Sequence, residues 1–156
     1  MQRCRRKRAS KRHREETENM TRKEAREEVF YLLFETEFQT EKSAEDIYAL
    51  ALEHREIGGN AYIRETYFGV REHLEEIDGI ITRNSNGWKV SRITPVSRCA
   101  IRLCIYEMLY CSDIPAAVSL NEAIELVKKF DDPKVRAFVN GLLNGAKNEI
   151  EAAKAE

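Results

Sequence analysis

Hydrophobic positions along this chain recur three and four residues apart, and nowhere give way to a sustained strand-type alternation. From Pro95 to Tyr110 the apolar residues cover nearly the whole circumference of a helix. Only Ser97, Arg98, Arg102 and Glu107 interrupt them, which marks a helix buried on most sides. Thr94 is placed to cap its first turn, and Pro95 suits the first helical position, where no amide partner is needed. Ile114-Pro115 stops the segment, because a residue before proline is pushed out of the α region. A helix this enclosed needs partners on several faces, so the rest of the chain is expected to wrap around it.

Those partners are readable in order. Thr21-Arg22-Lys23-Glu24 has the form of a capping box and opens a helix to about Gln39. Ala25, Val29, Leu32, Leu33 and Thr36 form its core stripe, with Phe30 and Phe34 on the flank. Ser43 with Asp46 opens a second helix that carries Ile47, Leu50, Ala51 and His54 and is ended by Gly58-Gly59. Asn60 caps a third, long helix with Tyr62, Ile63, Tyr67, Val70, Leu74, Ile77 and Ile81 inward, and Gly69 marks a close helix approach. Residues 84–87 are a turn, and 88–93 predict one short helical turn with Trp88 as a plug over the core. Ser119-Leu-Asn-Glu122 is a second capping-box pattern, for a helix that ends at Phe130. Asp132 then caps, and Pro133 starts, a last helix with Val135, Phe138, Val139, Leu142, Leu143, Ala146 and Ile150 on its inner stripe. Gly141 and Gly145 form a small-residue strip on that helix, and residues 151–156 are expected to fray. The prediction is an all-α protein: a single compact domain over 20–150, a bundle of six or seven helices.

Composition adds constraints. With 156 residues and 42% hydrophobic content, the chain is large enough to bury a core. No run approaches the ~20 apolar residues of a membrane span. The basic N-terminus lacks the apolar segment that a secretory signal requires. Cys4, Cys99, Cys104 and Cys111 form no Cys-x-x-Cys pair and read as small apolar groups in a reduced, cytoplasmic setting. The net charge of -1 hides an asymmetry. Residues 1–19 hold eight Lys/Arg against three Glu, a balance of +5, whereas the remainder holds 18 basic and 24 acidic residues, a balance of -6. The basic arm of residues 1–19 is too polar to order itself and is expected to be disordered, unless Met20 is the true initiator. A basic arm points to polyanion contact, and an acidic body to a basic protein partner.

Motifs for chemistry are missing. There is no Gly-rich phosphate loop and no His-Glu-x-x-His, and His54 and His73 have no acid or cysteine at ligand spacing. No enzyme activity, metal or cofactor is therefore predicted. What remains is binding. Arg22, Lys23 and Arg26 crowd the positive end of a helix, an arrangement that a bound anion would relieve. The plainer reading is a solvated basic turn beside Glu24, Glu27 and Glu28. Lys128, Lys129, Lys134 and Arg136 supply a second cationic stretch. Phe34 or Phe138 offers a ring for base stacking, although periodicity alone places Phe138 in the core.

The ordered set Cys99-Ala-Ile-Arg-Leu-Cys-Ile-Tyr-Glu-Met108, Asp113-Ile-Pro115, Leu120-Asn-Glu-Ala-Ile-Glu-Leu126 and Phe138-Val-Asn-Gly-Leu-Leu143 resembles the NusB family in order and spacing. Arg22-Lys-Glu-Ala-Arg-Glu27 and Ile77-Asp-Gly79 are similar to it as well, so the likeness runs from Met20 to about Ile150. The resemblance implies an all-helical bacterial antitermination factor that pairs with NusE, a small-subunit ribosomal protein. The pair binds boxA single-stranded RNA and helps the RNA polymerase antitermination complex read through terminators, notably in ribosomal RNA operons. It implies RNA contacts for Arg22, Lys23, Arg26, Phe34, Lys134, Arg136 and Phe138, and a partner-facing segment around Ser97 and Arg98. Some members form homodimers that occlude RNA. Here Glu24 dilutes the basic turn, Ser97 stands at a commonly acidic position, and Val135 and Ala137 replace a common serine and lysine. The alternative is a helical protein-interaction adaptor without direct RNA binding.

Overall fold

A computed structural model describes residues 20–155 of the chain. The basic arm of residues 1–19 lies outside the described residues, as do Cys4 and His13 within it. Seven α-helices are present among the described residues, without a strand. They are α1 (Arg22–Phe38), α2 (Ala44–His54), α3 (Ala61–Glu72), α4 (Leu74–Asn84), α5 (Pro95–Tyr110), α6 (Ala116–Phe130) and α7 (Arg136–Ala155). Short 3₁₀ turns at Val90–Arg92 and Pro133–Val135 precede α5 and α7. The described residues form two compact units that divide within α3, after Tyr67.

In the first unit α1 packs on α2. The Thr21 hydroxyl accepts the Glu24 amide at 3.1 Å, so the predicted cap is made. Ala25, Val29, Leu32 and Leu33 are buried as the spacing predicts, and Phe30, assigned to the flank, is buried with them. Thr36 is half-buried and turns its hydroxyl onto the Leu32 carbonyl and the Tyr67 phenol. Ser43 caps α2 through the Asp46 amide, and Asn60 caps α3 through the Ile63 amide, each at 3.1 Å. α2 ends at His54, four residues before Gly58, because Arg55 adopts an extended conformation. Of the apolar residues the sequence assigns to this helix, Ile47 and Ala51 are buried and Leu50 is exposed.

In the second unit α5 is the buried helix the sequence predicts, packed against α4, α6 and α7. The Thr94 cap and Pro95 at the first turn are both as expected. The long third helix is in fact two. It breaks at His73 (φ -101°, ψ 21°), where the Tyr110 ring stacks on the imidazole at 4.3 Å. The Tyr110 hydroxyl also donates to Glu76 at 2.6 Å, so cross-helix contacts hold a bend that no breaker residue announces. Gly69 does mark a close approach, since a Cβ there would overlap the Tyr106 ring. The second capping box is not formed. Pro115 (φ -58°, ψ 137°) already presets the entry, α6 starts at Ala116, and Ser119 lies buried one turn inside. The last helix continues to Ala155, past the point of expected fraying, where the Lys154 ammonium donates to the Met108 carbonyl at 2.6 Å.

Candidate nucleic-acid interface

Arg22 and Lys23 stand exposed on the first turn of α1, as a solvent-facing cationic turn requires. Arg22 lies over the Tyr62 ring, 4.3 Å from its centroid, which fixes the guanidinium over an aromatic face. Arg22 and Tyr62 border an open groove of about 310 Å³ with Met20, Gly59 and Asn60. Arg26 differs: it is 4% exposed, so it is part of the interior of this turn and not of its solvent face. Phe34 is half-buried in a row of rings at four-residue spacing, 6.1 Å from Phe30 and 4.8 Å from Phe38, and Phe38 is exposed.

The second unit gathers the other candidates around one cleft. Lys134, Phe138 and Ser97 line a cavity of about 220 Å³ together with Trp88, Arg92, Ile93, Thr94 and Val135. Sequence reasoning missed Trp88 and Arg92. Trp88 is not a plug over the core but 57% exposed. The left-handed residues Asn86 and Gly87 (φ 51° and 87°) reverse the chain just before it, and its ring meets Phe138 edge to face at 6.2 Å and 63°. The polar run Asn84-Ser-Asn-Gly87 and Lys89 around this tryptophan was the available signal for exposure. Arg136 is half-buried at the start of α7. Lys128 pairs with Glu125, and Lys129 stands over the Phe130 ring, so both belong to the α6 surface.

The two residues matched to a partner-facing segment have inward attachments. Ser97 is buried, and its hydroxyl donates to Asp131 at 2.6 Å while Thr94 donates to the same oxygen at 2.5 Å. Burial pushes the Asp131 carboxyl up, but hydrogen bonds from Ser97, Thr94 and the Asp132 and Ser97 amides outweigh it and hold the pKa below its ordinary value. This carboxylate ties the start of α5 to the end of α6 and stiffens the cleft floor. Arg98 donates to the Ile93 and Val90 carbonyls at 3.0 and 3.4 Å, which holds the Val90–Arg92 turn in place.

No group of three or more His, Cys, Asp or Glu able to hold a metal occurs among the described residues. Cys99 and Cys104 are buried among the apolar residues of α5. No helix of the described residues is long and apolar enough to cross a membrane. Seven helices, with α5 buried among α4, α6 and α7 and with cations set beside aromatic rings, define a small all-helical protein whose candidate chemistry is recognition. The NusB family model matches residues 23–148, and the chain belongs to this family of transcription antitermination factors. The transcription antitermination protein NusB of Bacillus velezensis is 41% identical over 133 residues, covering 85% of this chain and 100% of that protein. Among solved structures, NusB of T. maritima superposes with a TM-score of 0.77 at 34% identity, covering 83% of this chain and 92% of that one. A crystal structure of antitermination factors NusB and NusE in complex with dsRNA gives 0.73 at 26% identity, covering 82% and 96%.

Proposed function

We propose that this protein binds the boxA element of nascent RNA together with NusE and promotes read-through by the RNA polymerase antitermination complex, notably in ribosomal RNA operons. Family membership supports the reading, as does the related NusB solved with NusE and dsRNA. The observation that carries it is the cleft in which the cation Lys134 stands beside the accessible edge of Phe138. Single strands are bound by such pairings, in which cations neutralise phosphates and rings stack unpaired bases. Exposed Arg22 and Lys23 supply a second cationic feature at a helix N-terminus, whose dipole adds to the attraction for phosphate. The net charge of -6 over residues 20–156 suits a basic protein as the partner.

The test is labelled boxA RNA titrated by anisotropy, with and without NusE, over a range of salt. Arg22→Ala with Lys23→Ala is expected to weaken binding and to lower the log-log salt slope by about 1.4, at ~0.7 per phosphate. Arg26 is left intact because its burial would mix stability into the result. Unchanged affinity and slope would remove the α1 turn from the RNA site. A pulldown that retains no RNA in either condition would leave only a protein-interaction adaptor.

A further inference from the structure

We infer that the C-terminal end of α5 carries a second protein-docking surface, which takes a basic segment whose arginine lies against the exposed Tyr110 ring and pairs with Glu72 and Glu76. This surface is separate from the Ser97–Arg98 segment matched to a partner and from the cleft beside it. Ser97 near the start of α5 and Tyr110 at its end are about 20 Å apart, at a rise of ~1.5 Å per residue. The inference does not depend on the RNA-binding reading above.

Exposure, rigidity and charge carry it. Tyr110 is 44% exposed, although the helix it ends is buried on most sides. The side chain is nevertheless fixed. Its hydroxyl donates to Glu76 at 2.6 Å, with His73 Nδ1 at 3.2 Å from the same oxygen. Its ring stacks on the imidazole at 4.3 Å and 29° and meets Tyr106 at 5.3 Å and 39°. Tyr106 is held in turn, since a Cβ at Gly69 would overlap its ring. An aromatic side chain that is both accessible and already ordered loses little freedom when a partner covers it, which is the property of an interface anchor. Holding the bend between α3 and α4 accounts for the hydroxyl contacts but does not require the ring to stand in water.

The charge beside the ring is negative. Glu72 and Glu76 are both exposed. The hydrogen bond to Glu76, burial, and the charges of Glu76 and Glu72 push the Tyr110 phenol up to about 12, so it stays neutral. Among the described residues no ion pair engages Glu72, and Glu76 faces His73 at 3.6 Å, which is a cation only when protonated. Lys154, which reaches this end of α5, is turned onto the Met108 carbonyl at 2.6 Å. A ring with carboxylates at its rim attracts a cation twice, through the ring quadrupole and through ion pairing. Arginine suits it best, because a planar guanidinium stacks on the ring while its N–H fork reaches a carboxylate. The same carboxylates repel a phosphate backbone, so the occupant is a protein segment and not RNA.

The probe is a fluorescent hexa-arginine peptide, with hexa-lysine as the control, titrated into the full chain by anisotropy. Amide chemical shifts of the isotope-labelled chain locate the bound peptide. Hexa-arginine is expected to bind more tightly than hexa-lysine and to shift the amides of Glu72, His73, Glu76 and Tyr110. The Trp88 indole, beside the other end of α5, should stay unmoved. Tyr110→Ala is expected to weaken hexa-arginine binding about threefold and to remove the preference over hexa-lysine. Glu72→Gln with Glu76→Gln, which keeps an acceptor for the Tyr110 hydroxyl, should weaken both peptides and reduce the salt dependence. Circular dichroism checks that each variant is folded, and the wild-type shift map decides the matter even if Tyr110→Ala is not. Shifts spread evenly over the acidic surface, or equal binding of the two peptides by the wild type, overturn the inference. Shifts at these amides with single-stranded boxA RNA and not with hexa-arginine assign the surface to RNA and also overturn it. The hexa-arginine shifts are expected to persist with NusE bound; their loss would mean that NusE covers this surface, which would end its standing as a second docking site.

Discussion

Arg102 is a cation inside the most enclosed helix of the chain, 8% exposed, and it survives there because Asp78 meets it with two parallel hydrogen bonds of 2.9 Å. That pair joins α4 to α5 and explains why a charge interrupts an otherwise apolar circumference. Asp131 does comparable work at the other end of α5 with two hydroxyl donors. Its carboxyl is held below the ordinary value of 3.8, so its ionised form is favoured in the folded state. The sign follows from linkage: this contribution to stability is complete above the unfolded value and is lost as pH falls through the folded one. Asp131→Asn should therefore be less stable than the wild type near pH 7. The gap, read from urea midpoints, should narrow once pH drops below about 4. A gap that stays constant down to pH 2 would mean that the ionised carboxylate contributes nothing here.

At the scale of the helix, α7 separates two glycines that look alike in sequence. A Cβ at Gly145 would lie 2.5 Å from Asn84 Oδ1, and Asn84 is held in place by its donation to the Ile80 carbonyl at 2.9 Å. Gly141 is exposed, with nothing within 4 Å of such a Cβ. The small-residue strip is thus a single close approach, of α7 on α4. Gly141→Ala is expected to stabilise the protein by ~0.5–1 kcal/mol through helix propensity alone. Gly145→Ala gains the same propensity but forces Asn84 aside, for a net loss of about 1 kcal/mol or more. Thermal melts of the two variants should move in opposite directions; movement in the same direction would refute the packing argument. The break between α3 and α4 belongs to this scale too, since the Tyr110 contacts with His73 and Glu76 act between helices.

Across the whole molecule, a body with a balance of -6 has to attract a polyanion through a few local cations. Arg22, Lys23, Arg92 and Lys134 are the exposed ones that the two candidate features supply. One phosphate for each gives an expected log-log salt slope of about -2.8 for single-stranded RNA. A slope near zero, measured by anisotropy between low and physiological salt, would rule out phosphate contacts as the source of affinity. Neutralising all four cations should bring the slope close to zero while leaving the helical circular dichroism signal unchanged, because none of them is buried.

The sequence by itself determined most of the helices, four of their caps and the buried centre, but neither the break at His73 nor the entry of α6 at Pro115. Thr21, Ser43, Asn60 and Thr94 announce their helix starts because capping acts over three residues. The enclosed α5 is legible because burial on all sides erases polar positions from one short window. The family resemblance was carried by the same ordered segments. Relations that depend on residues far apart in the chain were decided only by the tertiary structure. Arg26 follows the charge pattern of its neighbours yet is enclosed, and Ser97 lies in a segment matched to a partner face yet turns inward to Asp131. Trp88 looks like core by its chemistry alone, but the Asn86-Gly87 reversal and the position of Phe138, fifty residues on, place it at the surface. Local free energies of capping and periodicity can be read along a chain, whereas the environment of a side chain is set by whichever distant segment folds against it.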